Sequence, residues 1–213
     1  MEDYLPLNIV KELALKEGFC DCGAARVEKI DISYFNNWLA KGYNASMQYM
    51  EKYLDKRENV SLLVNNSKTI FCFLISYNDE DVTKTSTYHI ASYAQRKDYH
   101  YIIKDKLNHI ITNLQLQLPN LQAVAFVDTA PILEKQWAVQ CGLGWIGKNS
   151  LLTTQHFGNK VFIGEIICNF YSDYTKRIKD YCGSCHSCVD SCPNKAIKED
   201  RTIDCNICIS YQT

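Results

Sequence analysis

The alternation of apolar and polar positions has two different periods along the first 170 residues of the chain. Apolar residues at helical spacing predict four amphipathic helices, over 7–18, 31–41, 45–53 and 99–118. Nearly continuous apolar runs bounded by polar residues predict strands over 68–76, 123–127 and 161–168, with a shorter extended segment over 19–27. The polar stretch 79–87 predicts a loop. Strands that alternate with helices favour an α/β or α+β core.

Length and composition are those of an ordinary globular protein. The chain has 213 residues, of which 46% are hydrophobic and 22% charged. No apolar run approaches the roughly 20 residues that cross a bilayer, and the acidic N-terminal residues do not resemble a signal peptide. We therefore expect a cytoplasmic protein with no membrane association. The net charge of −1 gives no electrostatic argument for or against a nucleic-acid partner.

The cysteines are crowded towards the C-terminal end, which indicates metal ligation. There are eleven, an odd number, and six of them lie between positions 182 and 208. Cys182, Cys185, Cys188 and Cys192 follow the pattern C-x2-C-x2-C-x3-C-P of bacterial 4Fe–4S ferredoxins. A zinc site usually has two CxxC pairs with a longer spacer, which this segment lacks. The spacing therefore predicts an iron–sulfur segment.

A carboxylate stands where the strand 123–127 ends. In Val127-Asp128-Thr129-Ala130-Pro131 the aspartate follows a hydrophobic run at the start of a turn. Strand ends often carry functional side chains, but Asp128 could equally cap the next helix. These local residues leave both interpretations open.

The segment 141–149 holds three glycines and a tryptophan. Its spacing formally matches G-x-G-x-x-G, yet a helix precedes it and no acidic residue follows at the expected distance. We therefore do not interpret it as a dinucleotide-binding motif. Glycines in this density indicate a bare backbone lying against something flat or bulky, with Lys148 and Asn149 as polar contacts.

Taken in order, these motifs resemble those of the epoxyqueuosine reductases, which are cobalamin- and iron–sulfur-dependent enzymes of queuosine tRNA modification. The matching stretches are Tyr93-Ala94, Asp98-Tyr99-His100, 127–131, Ala138, 142–149, Gly164-Glu165, the cysteine run with Pro193, and 208–211. The resemblance covers nearly the whole chain.

The resemblance implies a fold and an activity. It implies an α/β (α+β), nitroreductase-like cobalamin-binding core over 1–170, followed by part of a bacterial ferredoxin-like 4Fe–4S domain over 171–213. It also implies reduction of epoxyqueuosine to queuosine at the wobble position of tRNA, with electrons from an external donor. Asp128 would be the general acid that protonates the epoxide oxygen. We expect the protein to be a monomer.

The resemblance also implies cofactor ligands. Cobalamin contacts are expected at Arg57, Tyr99, Asp128, Leu152 and Ile163. Cluster ligands are expected at Cys182, Cys185 and Cys188 for one cluster, and at Cys192 and Cys208 for a second.

The chain departs from the family pattern at its C-terminal end. Two 4Fe–4S clusters need eight thiolates, and the family's later cysteine run has no counterpart here, whereas Cys205 is additional. We therefore interpret the chain as a truncated member rather than a one-cluster variant, and expect that it would not carry two intact clusters alone.

Two other functions stay open on the residues. One is another cobalamin and iron–sulfur reductase, such as a dehalogenase-like enzyme. The other is a ferredoxin-type electron-transfer protein, although a carrier needs far fewer residues before its cluster. Cobalamin binding would exclude the carrier, and turnover of epoxyqueuosine tRNA would exclude the dehalogenase.

Overall fold

An antiparallel sheet forms the centre of the computed structural model, which describes residues 3–77, 91–95 and 97–212. The predicted loop 79–87 lies outside these residues. The strands are β1 (Asp21–Arg26), β2 (Thr69–Ser76), β3 (Ala123–Phe126), β4 (Trp145–Ile146), β5 (Leu152–Thr153) and β6 (Val161–Cys168). The main sheet has the order β1-β2-β6-β3, and β4 pairs with β5 separately. All pairings in both sheets are antiparallel.

Strand β2 occupies the interior of the sheet, as its apolar run predicts. Its first six residues, Thr69 to Leu74, are all buried, and it pairs along its whole length with β6. Phe71 and Phe73 point to one face, whereas Cys72 and its alternate neighbours point to the other. The strands predicted over 123–127 and 161–168 are also confirmed, within one residue at each end.

Helices cover both faces of the sheet. They are α1 (Leu7–Lys16), α2 (Ser33–Ala40), α3 (Leu54–Glu58), α4 (Tyr99–Gln117), α5 (Glu134–Gln140), α6 (Ser187–Ser191) and α7 (Ile209–Gln212). Helices α1 and α4 pack their apolar sides on Phe71 and Phe73. Helix α5 packs Trp137 and Ala138 on the opposite face. The core therefore has the helix–sheet–helix layering typical of mixed α/β proteins.

The helix predicted over 45–53 is wrong. The structure has a short 3-10 helix there, Gln48–Glu51, and α3 begins only after it. The physical reason is the backbone, because Ala45 and Tyr53 have φ of 48° and 58°, which an α-helix does not accommodate. Met47 and Met50 are half-buried rather than core residues.

The C-terminal segment, residues 171–212, packs against the core through backbone and side-chain hydrogen bonds. The indole of Trp38 donates to the carbonyl of Ile203 at 2.8 Å, and the amide of Cys205 donates to the carbonyl of Tyr43 at 2.9 Å. Near its start, the amide of Thr175 donates to Ala24 of β1 at 2.9 Å. The cysteine run is therefore held beside the core and does not extend away from it.

Within the described ranges, no helix combines the length and apolar character needed to span a membrane.

Candidate active site and cysteine segment

The turn that follows β3 presents Asp128 at the surface. Asp128 has a φ of 51°, a left-handed conformation that is uncommon for a residue with a side chain. Its side chain is 58% exposed. Helix α5 begins six residues later at Glu134, and its N-cap residue Leu133 makes no side-chain cap. The helix-capping interpretation of Asp128 is therefore wrong, and its carboxylate is free to face a ligand.

Tyr99 makes the shortest side-chain contact with the Asp128 carboxylate. Its hydroxyl donates to Oδ2 of Asp128 at 2.8 Å. The ring is fixed by stacking on Phe162 of β6, with centroids 4.1 Å apart and planes 12° from parallel. Burial, together with the hydrogen bond to Asp128, raises the pKa of Tyr99. Tyr99 therefore stays protonated at neutral pH and keeps donating to the carboxylate.

His100 lies on the same side of the Asp128 carboxylate. Its Nε2 is 3.6 Å from Oδ2 of Asp128, and its Nδ1 is 2.7 Å from Oδ1 of Asp98. Asp98 also caps α4, because its side chain accepts a hydrogen bond from the amide of His100. The first turn of α4 thus directs both a phenol and an imidazole at Oδ2, which leaves the other oxygen of Asp128 without these contacts.

Two glutamates lie behind the turn, and both were missed as site residues in the sequence. Glu134 accepts a hydrogen bond from the backbone amide of Asp128 at 2.5 Å. Glu165 is fully buried in β6, opposite Phe126 of β3 and Cys72 of β2. The signal that could have found Glu165 is its place in the middle of an apolar strand, where a lone carboxyl is costly.

The environment of the two glutamates favours their neutral forms. Burial and, to a smaller extent, the neighbouring Asp128 carboxylate raise the pKa of Glu134 to about 7, against the opposing effect of the hydrogen bond from the Asp128 amide. Burial raises the pKa of Glu165 well above its usual range, and the nearby Glu134 carboxylate adds to this. The Asp128 turn therefore rests on a pair of acids that do not both ionise at neutral pH.

The remaining residues predicted to bind cobalamin lie in two places. Ile163 points to the same face of β6 as Glu165 and is half-buried, and Leu152 is buried in the same hydrophobic cluster. Arg57 in α3 is buried, with its guanidinium 5.4 Å from the ring centroid of Phe35. The structure thus joins Tyr99 to Asp128 directly. Among the described contacts, it does not join Arg57 to either of them.

The glycines of 141–149 pack against the chain itself. A Cβ atom at Gly142 would lie 2.5 Å from the carbonyl oxygen of Lys176, and one at Gly144 would lie 2.4 Å from that of Thr153. The expectation that this backbone lies bare against a bulky ligand is therefore wrong at these two positions. Gly142 allows the segment 175–176 to pack closely on the core, and Gly144 allows close backbone packing on β5.

Lys148 connects the glycine segment to the cysteine run. It is buried, and its Nζ lies 3.2 Å from Nε2 of His186 and 3.6 Å from a carboxylate oxygen of Glu199. His186 is itself 2.8 Å from Glu199 through Nδ1. A buried ammonium group needs such partners, so these three side chains fasten the loop between Cys185 and Cys188 to the core.

The cysteine segment offers thiols in a setting that suits iron. All eleven cysteines are free, and the six between 182 and 208 are exposed or half-buried. Backbone amides, that of Ile197 foremost, lower the pKa of Cys192, and hydrogen bonds from Ser187 lower that of Cys185. In the part of the chain that the structure describes, no three or more His, Cys, Asp or Glu side chains converge on one point. Accessible thiols with amide donors fit an iron–sulfur cluster chemically.

Two buried donors of the core are suited to the polar groups of a cofactor. No carboxylate of the described residues lies within ion-pair distance of the buried Arg57. The indole N–H of Trp145 is likewise buried without an acceptor among them. Cobalamin carries amide and phosphate oxygens that such donors could bind.

An α+β core with an acid on a strand-end turn, joined to a ferredoxin-type cysteine run, defines a class of iron–sulfur oxidoreductases. The family model described as "Epoxyqueuosine reductase QueG, DUF1730" matches residues 57–129, and the model "4Fe-4S binding domain" matches residues 175–198. The epoxyqueuosine reductase of Cyclobacterium marinum is 40% identical over 211 residues, which cover 97% of this chain and 68% of that protein. The chain belongs to the epoxyqueuosine reductase family.

Solved structures show the same fold. An epoxyqueuosine reductase crystallised with a tRNA-Tyr epoxyqueuosine-modified stem loop superposes with a TM-score of 0.84 at 24% identity, covering 96% of this chain and 56% of that one. A reductive dehalogenase, described with B12-dependent dehalogenation, gives a TM-score of 0.61 at 14% identity, with 89% and 25% covered. The predicted fold class is confirmed. The chain spans about two thirds of the curated relative and little more than half of the solved reductase.

Proposed function

We propose that this chain carries the catalytic core of an epoxyqueuosine reductase, which converts epoxyqueuosine to queuosine at the wobble position of tRNA. The observation that carries the proposal is the Asp128 carboxylate, which is exposed at a strand end and hydrogen-bonded by Tyr99 at 2.8 Å. The substrate is proposed from the family and from the printed ligand of a solved relative.

The reaction defines what the site must supply. Removal of the oxygen from an epoxide to leave an alkene consumes two electrons and two protons and releases water. An epoxide oxygen leaves poorly unless it is protonated as the ring opens, so an acid within hydrogen-bonding reach is needed. In this proposal Asp128 is that acid, and the proton moves from its free oxygen to the epoxide oxygen.

Tyr99 and His100 prepare Asp128 for this step. Both face Oδ2, at 2.8 and 3.6 Å, so the proton-bearing oxygen is directed away from them towards the substrate. When Asp128 loses its proton, the phenol stabilises the carboxylate that forms. Tyr99 does not itself supply the proton, because its pKa is raised.

The cofactors complete the proposal. Cobalamin, when bound, supplies the electrons that break the carbon–oxygen bond, and 4Fe–4S clusters restore them from an external donor. Arg57, Tyr99, Asp128, Leu152 and Ile163 are the proposed cobalamin contacts. The proposed cluster ligands are Cys182, Cys185, Cys188, Cys192 and Cys208.

The wider organisation is proposed on the same basis. It comprises a cobalamin-binding unit over 1–170, a cluster-binding unit over 171–213, and a monomeric protein in the cytoplasm. The dehalogenase and electron-carrier alternatives are not favoured, because the relatives with family-level identity are epoxyqueuosine reductases.

Reconstitution tests the proposal. The chain is incubated anaerobically with iron, sulfide and hydroxocobalamin, and the protein peak from gel filtration is mixed with an epoxyqueuosine-bearing anticodon stem loop and titanium(III) citrate. We expect cobalamin to co-elute near one per chain and queuosine to be detected by mass spectrometry of the digested RNA. Clusters without cobalamin, in this chain and in one extended to the length of its relatives, would contradict the proposal.

A further inference from the structure

A carboxyl group in the middle of the sheet has no function in the reaction described above. Glu165 has 0% exposure, and both of its oxygens are buried without a hydrogen-bond donor among the described residues. Its position in β6 turns it towards α5, because the neighbouring Gly164 faces Ile103 and Leu107 of α4 on the other side. An ionised carboxylate in this place would be unsolvated and unpaired, which is strongly unfavourable.

Glu134 is the group that meets Glu165 from α5. The Glu165 carboxyl lowers the pKa of Glu134 and the Glu134 carboxyl raises that of Glu165, as expected if Glu165 donates a hydrogen bond to Glu134. Two carboxylates cannot form such a bond, since neither has a donor, whereas a neutral acid donates to a carboxylate. The contact is therefore satisfied when Glu165 is protonated and its O–H donates a hydrogen bond to the Glu134 carboxylate. This arrangement accounts for the missing donor at Glu165.

The charged groups around the pair agree with this assignment. The Asp128 carboxylate faces it from the turn and the Cys141 thiol from the end of α5, and both disfavour a second negative charge. Tyr99 of α4 is close enough for its own pKa to be raised by Glu134. Lys135, the cation on α5 itself, donates to the carbonyl of Ser150 at 2.8 Å. No described cation reaches Glu165 as an ion-pair partner.

The second contact of Glu134 connects the pair to the proposed acid. Its Oε1 accepts a hydrogen bond from the backbone amide of Asp128 at 2.5 Å, and Asp128 has a φ of 51° in this turn. A non-glycine residue in this conformation is strained and persists only where its surroundings hold it. With Glu165 protonated, hydrogen bonds would run from the buried strand through Glu134 to the backbone of the turn.

We propose that Glu134 is a positioning residue that holds the Asp128 turn in place through its backbone amide, and that Glu165 is kept as a neutral acid whose hydrogen bond orients Glu134. This inference deepens the proposed function and rests on it for the importance of Asp128. The hydrogen-bond chain itself can be tested without substrate or cofactor.

The test is amide hydrogen exchange at Asp128, followed by NMR on the 15N-labelled 213-residue chain with no cofactor added. Glu165→Gln keeps a donor that cannot ionise, and Glu165→Met has a similar length without one. We expect the wild-type protein and Glu165→Gln to protect the Asp128 amide alike. In Glu165→Met we expect the Asp128 amide to exchange about tenfold faster, as the loss of one ordering hydrogen bond predicts. The amide of Val10 in α1 serves as the remote reference.

Unchanged protection in Glu165→Met, or equal loss in Glu165→Gln, would overturn the inference. If Glu165→Met does not fold, the pair Glu134→Gln and Glu134→Ala decides, since glutamine still offers an acceptor to the Asp128 amide. Protection of the Asp128 amide that is retained in Glu134→Gln and lost in Glu134→Ala supports the positioning function of Glu134. Equal protection in the two variants overturns it. Because no substrate is present, a failure of turnover leaves this result unaffected, and the two proposals fail separately.

The pH dependence of stability gives a second readout. Both glutamates have a raised pKa in the folded chain, so the unfolded chain releases their protons first, near the usual pKa of about 4.3. The stability contributed by Glu134 is therefore fully present below that pH and is lost as the pH rises through about 7, and the contribution of Glu165 is lost only well above its usual pKa. Glu165→Gln should flatten this slope in urea unfolding, whereas Glu12→Gln, at an exposed position of α1, should leave the slope unchanged.

Discussion

The acid turn and the cysteine segment are positioned in opposite ways. Asp128 is held from two directions by the core, through Tyr99 of α4 and Glu134 of α5, and in our proposal Glu165 of β6 orients Glu134. The cysteine segment is held by hydrogen bonds near its two ends and by Lys148 beside His186, and the helix between its expected ligands, α6, has only five residues. A proton donor must be in place before the substrate arrives, whereas a metal cluster can order its own ligands when it binds.

The largest difference between the regions should appear when a cysteine is removed. Cys185→Ala removes an exposed thiol from the cysteine run, and we expect it to abolish most of the iron–sulfur absorbance after reconstitution. Cys72→Ala is the matched control, because that thiol is buried in β2. The control should keep its iron and lose some stability. Equal iron content in the two variants would contradict the assignment of a cluster to Cys182, Cys185 and Cys188.

A smaller effect is expected at Tyr99, which lies beside the Asp128 turn. Tyr99→Phe removes the hydroxyl that donates to Asp128 and keeps the ring stacked on Phe162. Turnover should fall about 10- to 100-fold, the range for one hydrogen bond to a charged group, while the KM for the RNA stays unchanged. Tyr101→Phe on the same helix, 78% exposed, should behave as wild type. A rise in KM with an unchanged turnover number would instead assign Tyr99 to RNA binding.

The smallest effect is expected where the two regions meet. Lys148→Met removes the buried ammonium between His186 and Glu199. We expect it to destabilise the chain by about 1–3 kcal/mol in urea unfolding, because both partners lose a charged contact. Lys41→Met, which breaks the exposed pair with Asp200, should leave stability unchanged. Equal behaviour of the two variants would show that Lys148 does not fasten the cysteine run.

The fold was largely predictable from the sequence because its strands are buried on both faces. The runs 68–76 and 161–168 are mostly apolar, the second interrupted by Glu165, and form the paired interior strands β2 and β6. The region 45–53 failed for a backbone reason, since the left-handed residues Ala45 and Tyr53 leave no mark in a pattern of apolar positions. Helical spacing there predicted a regular helix that these two residues interrupt.

The site was predictable only in part. The end of a strand marked Asp128, and the resemblance marked Tyr99, which the structure places in contact with it. Glu134 and Glu165 were missed, because their proximity comes from the pairing of β3 with β6 and from the packing of α5, not from their spacing in the chain. The glycines of 141–149 were misjudged because sequence shows close approach without showing what approaches.

The measurement that tests the central claim most directly compares wild-type protein and Asp128→Asn on the epoxyqueuosine-bearing stem loop, after both have been loaded to the same cobalamin and iron content. Asparagine preserves the size and the hydrogen bond from Tyr99 but cannot give up a proton. We expect the rate of queuosine formation to fall by about 10²- to 10⁴-fold, the range for loss of a general acid. The exposed Glu12→Gln should not change it. Equal rates for wild type and Asp128→Asn would contradict the account, since the epoxide oxygen would then take its proton from another group.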